Sequence, residues 1–469
     1  MKSDWATLRE LLLPAVSAAP RGRRGRALEV ALREAIRAGR LHPGTRLPAT
    51  RDLAAQLDLA RGTVTSAYDQ LVAEGYLVAR RGSGTSVAAT AGAAAEQPRS
   101  RASAPEPRWQ FDLRPGLPAL AAFPRAEWVT ATKSALAELP DAELGYPDPA
   151  GLAELRAELA GYLGRVRAVL ADPADLLVTH GSAEACALLA DVLRARGHRR
   201  IAVEDPGHPG QSELFVTHGL TPVPIRVDAD GLRVDELAAS GCRAVLVTPA
   251  HQFPLGVPLN AQRRRELVDW ARRCDGLVIE DDYDAEHRYD RPALGAVQAL
   301  DPRRVAYLGS VSKTLAPALR LGWAVIPPGW REAMITAKRL HDLGCSPLPQ
   351  AAFARMLRAG GYDRHLRRTR ADNRRRRDAL LAALAEHLPR WRPTGIAAGL
   401  HVVLELPAGT NDRELSTHLE DNGVHAPSLS FYTRGHRGGP FPGLVLGYAA
   451  HGPDRLRAAV TRIAEITGA

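Results

Sequence analysis

Lys313 lies in the run GSVSKTLAPALRLGW, residues 309–323, with Ser310 and Ser312 just ahead of it and Arg320 seven positions on. A lysine amine forms a Schiff base with an aldehyde, and hydroxyls together with a guanidinium clamp a phosphate. Two further stretches supply what such a ligand would also need. IEDDYD places the carboxylate of Asp281 and the phenol of Tyr283 at the end of an apolar run, and GSAEA opens a helix at Ser182 and Ala183 whose free amides would receive an anion. A carboxylate holds a pyridinium protonated and a phenol hydrogen-bonds a ring oxygen. Lys313, Asp281, Tyr283, Ser182, Ala183, Ser310 and Arg320 together describe a site for pyridoxal 5'-phosphate, with Asp282 as the alternative to Asp281.

These residues need a scaffold that brings strand ends together. DLLVTHG, RIAVED, AVLVTPA, LVIEDDY and VAYLGS are short apolar runs separated by helical patterns of crossover length, which predicts a doubly wound α/β domain with ligands at the carboxyl ends of its strands. This domain spans 109–469. An Ala, Pro, Ser and charge-rich stretch, 89–108, reads as a linker. Ahead of it, residues 1–88 hold apolar positions Leu28, Leu32 and Ile36 at one-turn spacing. A short helix capped by Thr50 follows, then a helix burying Val64, Ala67, Tyr68 and Leu71, and a hairpin turning at RRGSG. Three helices and a hairpin make a winged helix-turn-helix. The second helix of the helix-turn-helix pair would enter the major groove of double-stranded DNA with Arg61, Gly62, Thr63, Thr65 and Ser66 at its leading end. Arg51 would meet phosphate, and Arg80, Arg81 and Gly82 would lie on the wing.

The charge balance agrees: net +10 overall, with 14 Lys and Arg against 8 Asp and Glu in the first 90 residues. Four cysteines show no pairing or metal-ligand spacing, the fifteen histidines form no metal-like triad in sequence, and no run is long and apolar enough to span a membrane. A cytoplasmic chain with no membrane partner is expected. NRRRRDALLAALAEHL reads as an arginine run at a helix start with a solvated face.

The stretch from Leu32 to Val87 closely resembles the DNA-binding domain of GntR-type bacterial transcription regulators, with Ala60 where a capping serine is usual. YPDPAGLAELRAELAGYL, THGSAEA, EDPGHPG, TPAHQFPLG, IEDDYDAEHRY and GSVSKTLAPALRLGW, in this order, resemble fold type I aminotransferases across roughly 110–469. The whole chain looks like a MocR-type member of the GntR superfamily. That resemblance implies pyridoxal phosphate on Lys313 and a homodimer in which Tyr146 reaches the partner's phosphate site. It also implies His208 stacked on the ring, and Gln252 or His251 approaching it. At the position of the substrate-carboxylate arginine stands Val445, and Gly210 takes the place of an arginine expected in GABA-sensing relatives; Arg434 could swing in. The resemblance therefore implies a regulator whose operator binding responds to pyridoxal phosphate itself or to an amine or amino acid. The alternatives are an active aminotransferase carrying a DNA anchor, and a regulator whose large domain is a dimerisation scaffold.

Overall fold

The computed structural model describes residues 2–80, 84–89, 109–284, 286–290, 294–434 and 440–468. Arg81, Gly82 and nearly all of the expected linker lie outside the described residues. The chain divides into two compact units, Met1–Pro107 and Arg108–Ala469.

The first unit comprises α1 (Lys2–Ala18), α2 (Arg24–Arg37), α3 (Thr50–Leu57), α4 (Arg61–Ala73) and an antiparallel hairpin of β1 (Leu77–Arg80) and β2 (Gly84–Val87). Leu28, Leu32, Leu53, Val64, Ala67 and Leu71 are completely enclosed. Leu8, Leu12 and Val16, one turn apart on α1, close this core from a helix that the sequence reading left unassigned. The Tyr68 hydroxyl donates to the Pro48 carbonyl at 3.1 Å and ties α4 to the entry of α3. Thr50 is not a cap: it is the first residue of α3, and Ala49 ahead of it offers no side-chain acceptor.

The second unit begins with β3 (Phe111–Asp112), α5 (Arg125–Glu138), α6 (Ala153–Arg167), β4 (Leu176–Thr179), α7 (Ser182–Ala195), β5 (Arg200–Asp205) and α8 (Pro209–Thr217). It continues through β6 (Thr221–Asp228), β7 (Gly231–Leu232), α9 (Val234–Ala239), β8 (Ala244–Val247), α10 (Ala261–Arg273), β9 (Leu277–Asp282), β10 (Val305–Ser310) and β11 (Gly322–Val325). Its last part holds α11 (Arg331–Asp342), α12 (Pro347–Arg358), α13 (Gly361–His387), β12 (Arg392–Thr394), β13 (His401–Glu405), α14 (Asp412–Asp421), β14 (Val424–His425), β15 (Gly443–Gly447) and α15 (Pro453–Thr467).

An eight-stranded sheet runs β4-β11-β10-β9-β8-β5-β6-β7. The five strands from β10 to β6 are mutually parallel, while β11 lies antiparallel to both of its neighbours and β7 to β6. Alternate residues feed opposite faces: Val178 and Trp323 pack with α6 and α12 on one side, Leu177 and Ala324 with α7 on the other. A smaller antiparallel sheet, β12-β13-β15, packs against α13 and α15. Because the central strands share one direction, the loops after β5, β8, β9 and β10 emerge at one edge. The arginine run corrects the reading above. It lies inside the 27-residue α13, whose inner face carries Tyr362, His365, Thr369 and Asn373 upstream of it.

Candidate functional site

A cleft of about 950 Å³ opens at that edge, lined among others by Ser182, Ala183, His208, Asp281, Tyr283 and Lys313. The Lys313 ammonium donates to the Gly116 carbonyl at 2.7 Å. Burial lowers its pKa, against the opposing pull of Asp284 and Asp281, and so favours the neutral amine that attacks an aldehyde.

Strand alternation decides between the two aspartates. Asp282 points away from the cleft, where it accepts from Arg167 Nε and the Tyr307 hydroxyl, both at 2.6 Å. Glu280, on the same face, accepts the amides of Val297 and Gln298. Asp281 alone faces the cleft. Its Oδ2 accepts from Gln211 Nε2 at 2.7 Å, while its Oδ1 is buried without a hydrogen-bond partner. Burial, reinforced by Asp282, pushes this carboxyl up to about 7. An orphaned, buried acceptor facing the cleft suits a pyridinium N–H.

At the other end, Gly181 adopts φ +95° and turns the chain into α7, so the first amides of that helix face outward at Ser182. The Arg320 guanidinium donates to the His180 carbonyl, and a Cβ on Gly181 would come within 3.3 Å of it. Ser310 pairs with Gly322, which packs on Gly181. Ser310 and Arg320 thus meet the start of α7 at the rim and do not line the cleft. The residues present fit pyridoxal phosphate: an amine, an unpartnered carboxylate oxygen, and amides with a guanidinium for a phosphate.

His208 precedes α8 and lines the cleft, its ring 5.7 Å from that of Phe253. Neither Gln252 nor His251 lines it. The Gln252 amide donates to the carbonyls of Pro206 and Phe253 and accepts from Leu255, so it holds the loop together and leaves Phe253 as the side chain facing the cleft. Tyr146 is 89% exposed and contributes nothing to the cleft of its own chain. Gln211, Gly116, Arg114 and Arg413 were missed. Gln211 sits three residues after His208 on the first turn of α8, a spacing that could have revealed it; Gly116 approaches Lys313 across 197 positions with no local signal.

Val445 is fully buried beside Val403, Leu429 and Tyr432. Arg434 is held by Glu213 at 3.0 Å and by the Pro209 carbonyl, Arg413 donates to the Ser430 carbonyl, and Arg114 pairs with Asp112. The fold also gathers two donor groups that spacing did not reveal, His251–Asp284–His401 and His180–Glu184–Asp342–Cys345. In the second, the Lys338 ammonium already sits between the carboxylates, 2.8 and 2.6 Å away.

In the first unit, Arg51, Arg61, Gly62, Ser66 and Arg80 are exposed, and Thr63 and Thr65 are half-buried. The Thr65 hydroxyl bonds back to the Arg61 carbonyl at 3.0 Å, and the Thr63 methyl packs against Gly25, which leaves the arginines and Ser66 as the outward-facing polar groups. Ala60 gives α4 no side-chain cap.

Comparison with known proteins agrees with both halves. Residues 25–87 match the profile of bacterial regulatory proteins of the gntR family, and residues 118–463 match aminotransferase class I and II. The pyridoxine biosynthesis transcriptional regulator PdxR of Corynebacterium glutamicum is 34% identical over 92% of this chain and 94% of its own length. The probable rhizopine catabolism regulatory protein MocR of Rhizobium meliloti is 32% identical over 93% and 92%. The crystal structure of Pyrococcus horikoshii kynurenine aminotransferase, solved with PMP, superposes with a TM-score of 0.69 at 27% identity, over 76% of this chain and 90% of that one. A winged helix joined to an aminotransferase-like domain, with relatives of this kind along nearly the full length, shows that the chain belongs to the MocR/PdxR-type branch of the GntR regulators.

Proposed function

We propose that this chain is a transcription regulator that binds double-stranded operator DNA through α4 and its wing, as a homodimer, and that pyridoxal 5'-phosphate held at Lys313 governs that binding. The observation that carries the reading is the convergence of Lys313, Tyr283 and the orphaned Oδ1 of Asp281 on one cleft, in a chain that also has a winged helix. Bound pyridoxal phosphate supplies an aldehyde that a lysine or a free amine can take up. Asp281 would hold its ring nitrogen, Tyr283 its ring oxygen, and Ser182, Ala183, Ser310 and Arg320 its phosphate, with His208 against the ring and the partner subunit's Tyr146 completing the phosphate end. Gln252 would act only by shaping the loop that presents Phe253.

The effector is pyridoxal phosphate itself, an amine, or an amino acid whose carboxylate would have to meet Arg413, the cleft-lining guanidinium that donates to the Ser430 carbonyl. Val445, buried in an apolar cluster, offers no cation for an α-carboxylate, and the charges of Arg434 and Arg114 are matched by Glu213 and Asp112. The same feature disfavours efficient transamination, the second reading. The test is a visible absorbance spectrum of the purified protein with added pyridoxal phosphate, before and after borohydride, beside Lys313→Ala. A band that borohydride removes and the variant lacks is expected. No band in the wild type would reduce the large domain to a scaffold.

A further inference from the structure

His251 and Asp284 form a buried pair that the cofactor clamp described above does not use. Their side chains are 3% and 1% exposed, with Nδ1 of the histidine 2.9 Å from Oδ2 of the aspartate. The same Nδ1 lies 3.1 Å from the phenol oxygen of Tyr283, and the His251 carbonyl lies 3.0 Å from it. The protons can be assigned from what each partner is able to do. A carboxylate only accepts, so Nδ1 carries a proton, shared between Asp284 and the phenol oxygen. A carbonyl also only accepts, so the phenol's own proton points at it. One residue therefore holds Tyr283 twice, once as donor and once as acceptor.

The pair is itself confined. Gly399 turns past it at φ +74°, where any Cβ would collide with the His251 ring and the Asp284 carboxylate. On another side, His401 donates from Nε2 to the Pro254 carbonyl at 2.9 Å, its ring 5.2 Å from that of His251. Burial, and then His251, pushes His401 down to about 4, so it stays neutral there. The Asp284 carboxylate also bears directly on the phenol and favours its keeping its proton, while an edge-on ring, Phe253 at 6.1 Å, restrains its plane and not its oxygen.

We propose that His251, oriented by Asp284, is a positioning residue for Tyr283, and that through this phenol it sets how firmly the ring oxygen of pyridoxal phosphate keeps its proton. The proposal rests on the cofactor reading above. When the phenol's proton turns from the His251 carbonyl toward a ring oxygen, the Nδ1–H contact remains and fixes the phenol oxygen in place. A fixed donor stabilises the oxygen's anionic form and lowers the pH at which the proton leaves. The titratable groups around the phenol are Asp284 and Asp281 at its own strand end, Glu204 on β5, Lys313 after β10 and His401 on β13. A double-mutant cycle keeps Asp281, Glu204, Lys313 and His401 constant.

The experiment is a pH titration of the visible band of the holoprotein in the wild type, Tyr283→Phe, His251→Ala, His251→Asn and the double variant Tyr283→Phe/His251→Ala. Tyr283→Phe should raise the band's pKa by about one to two units, the size of one lost hydrogen bond to a charged group. His251→Ala should move it the same way by less, and should add nothing in the Tyr283→Phe background. Asparagine, whose side-chain N–H can stand in for Nδ1–H, should restore the wild-type value. A His251→Ala shift of equal size with and without the phenol would show that the histidine acts on its own and would overturn the proposal, as would no shift at all. If His251→Ala does not fold, His251→Phe, which keeps a ring but removes the Nδ1–H, runs the same cycle with the same expectation. Failure of the cofactor reading looks different: the wild type would then have no band to titrate.

Discussion

In the winged helix, Arg51, Arg61, Ser66 and Arg80 stand in solvent on elements whose inner faces are packed by Leu53, Val64 and Leu71. In the cleft, Asp281 is withdrawn from water with one oxygen unpartnered, Lys313 is half-buried with its ammonium on a backbone carbonyl, and buried Arg167 and Asp282 lie behind them. In the winged helix, the groups proposed to meet DNA are separate from the groups that hold the fold. In the cleft they belong to one electrostatic network, so substitutions there should move stability and binding together, and sometimes in opposite directions.

The largest effect is expected behind the cleft. Arg167→Ala leaves Asp282 buried without its cation and should lower unfolding free energy by about 3–5 kcal/mol in a denaturant titration. A loss below 1 kcal/mol would mean that the network is not one unit. Asp281→Asn sharpens the contrast further. Its carboxyl sits at about 7 in the folded protein against an ordinary value of 3.8, so the wild-type, cofactor-free protein loses stability as pH rises from 4 through 7. The asparagine variant escapes that loss. It should be more stable than the wild type by about 1–3 kcal/mol above pH 7, with no gain below pH 4, while binding pyridoxal phosphate at least tenfold more weakly. Equal melting temperatures for the two proteins at pH 8 would contradict the account.

On the DNA-binding face the two properties should separate. Arg61→Ala should weaken specific DNA binding by about 1–3 kcal/mol while leaving stability within about 0.5 kcal/mol, read by anisotropy and melting on the same samples. The smallest effect runs the other way: Ala60→Ser supplies α4 with the cap it lacks and should add about 0.5–1 kcal/mol of stability.

How far these regions could be foreseen follows the same divide. The inner face of α4 and the hairpin were legible because their signals are local, at helix period and in turn residues. The strand ends carrying Asp281 and Lys313 were legible because parallel strands must be apolar until they stop. What stayed hidden depended on distance or on polar groups used inside. Gly116 meets Lys313 only through the tertiary fold. Gln252 looked like a ligand amide, yet it satisfies the Phe253 carbonyl of its own loop and the Pro206 carbonyl of the loop after β5. The first half of α13 buries His365, Thr369 and Asn373, so its helical stripe is not apolar, and the arginine run within it was taken for a helix start. On α1, proline at position 14 and interspersed charges hid a helix that nonetheless buries Leu8, Leu12 and Val16.

The central claim is that pyridoxal phosphate at Lys313 controls DNA binding. Its most direct test measures affinity for a duplex selected by the full-length protein from a random pool, with and without pyridoxal phosphate, in the wild type and in Lys313→Ala. The account predicts a change of about tenfold or more in the wild type, a coupling of about 1.4 kcal/mol, and none in the variant. Wild-type protein that shows the borohydride-sensitive band yet binds the duplex equally well with and without the cofactor would contradict it.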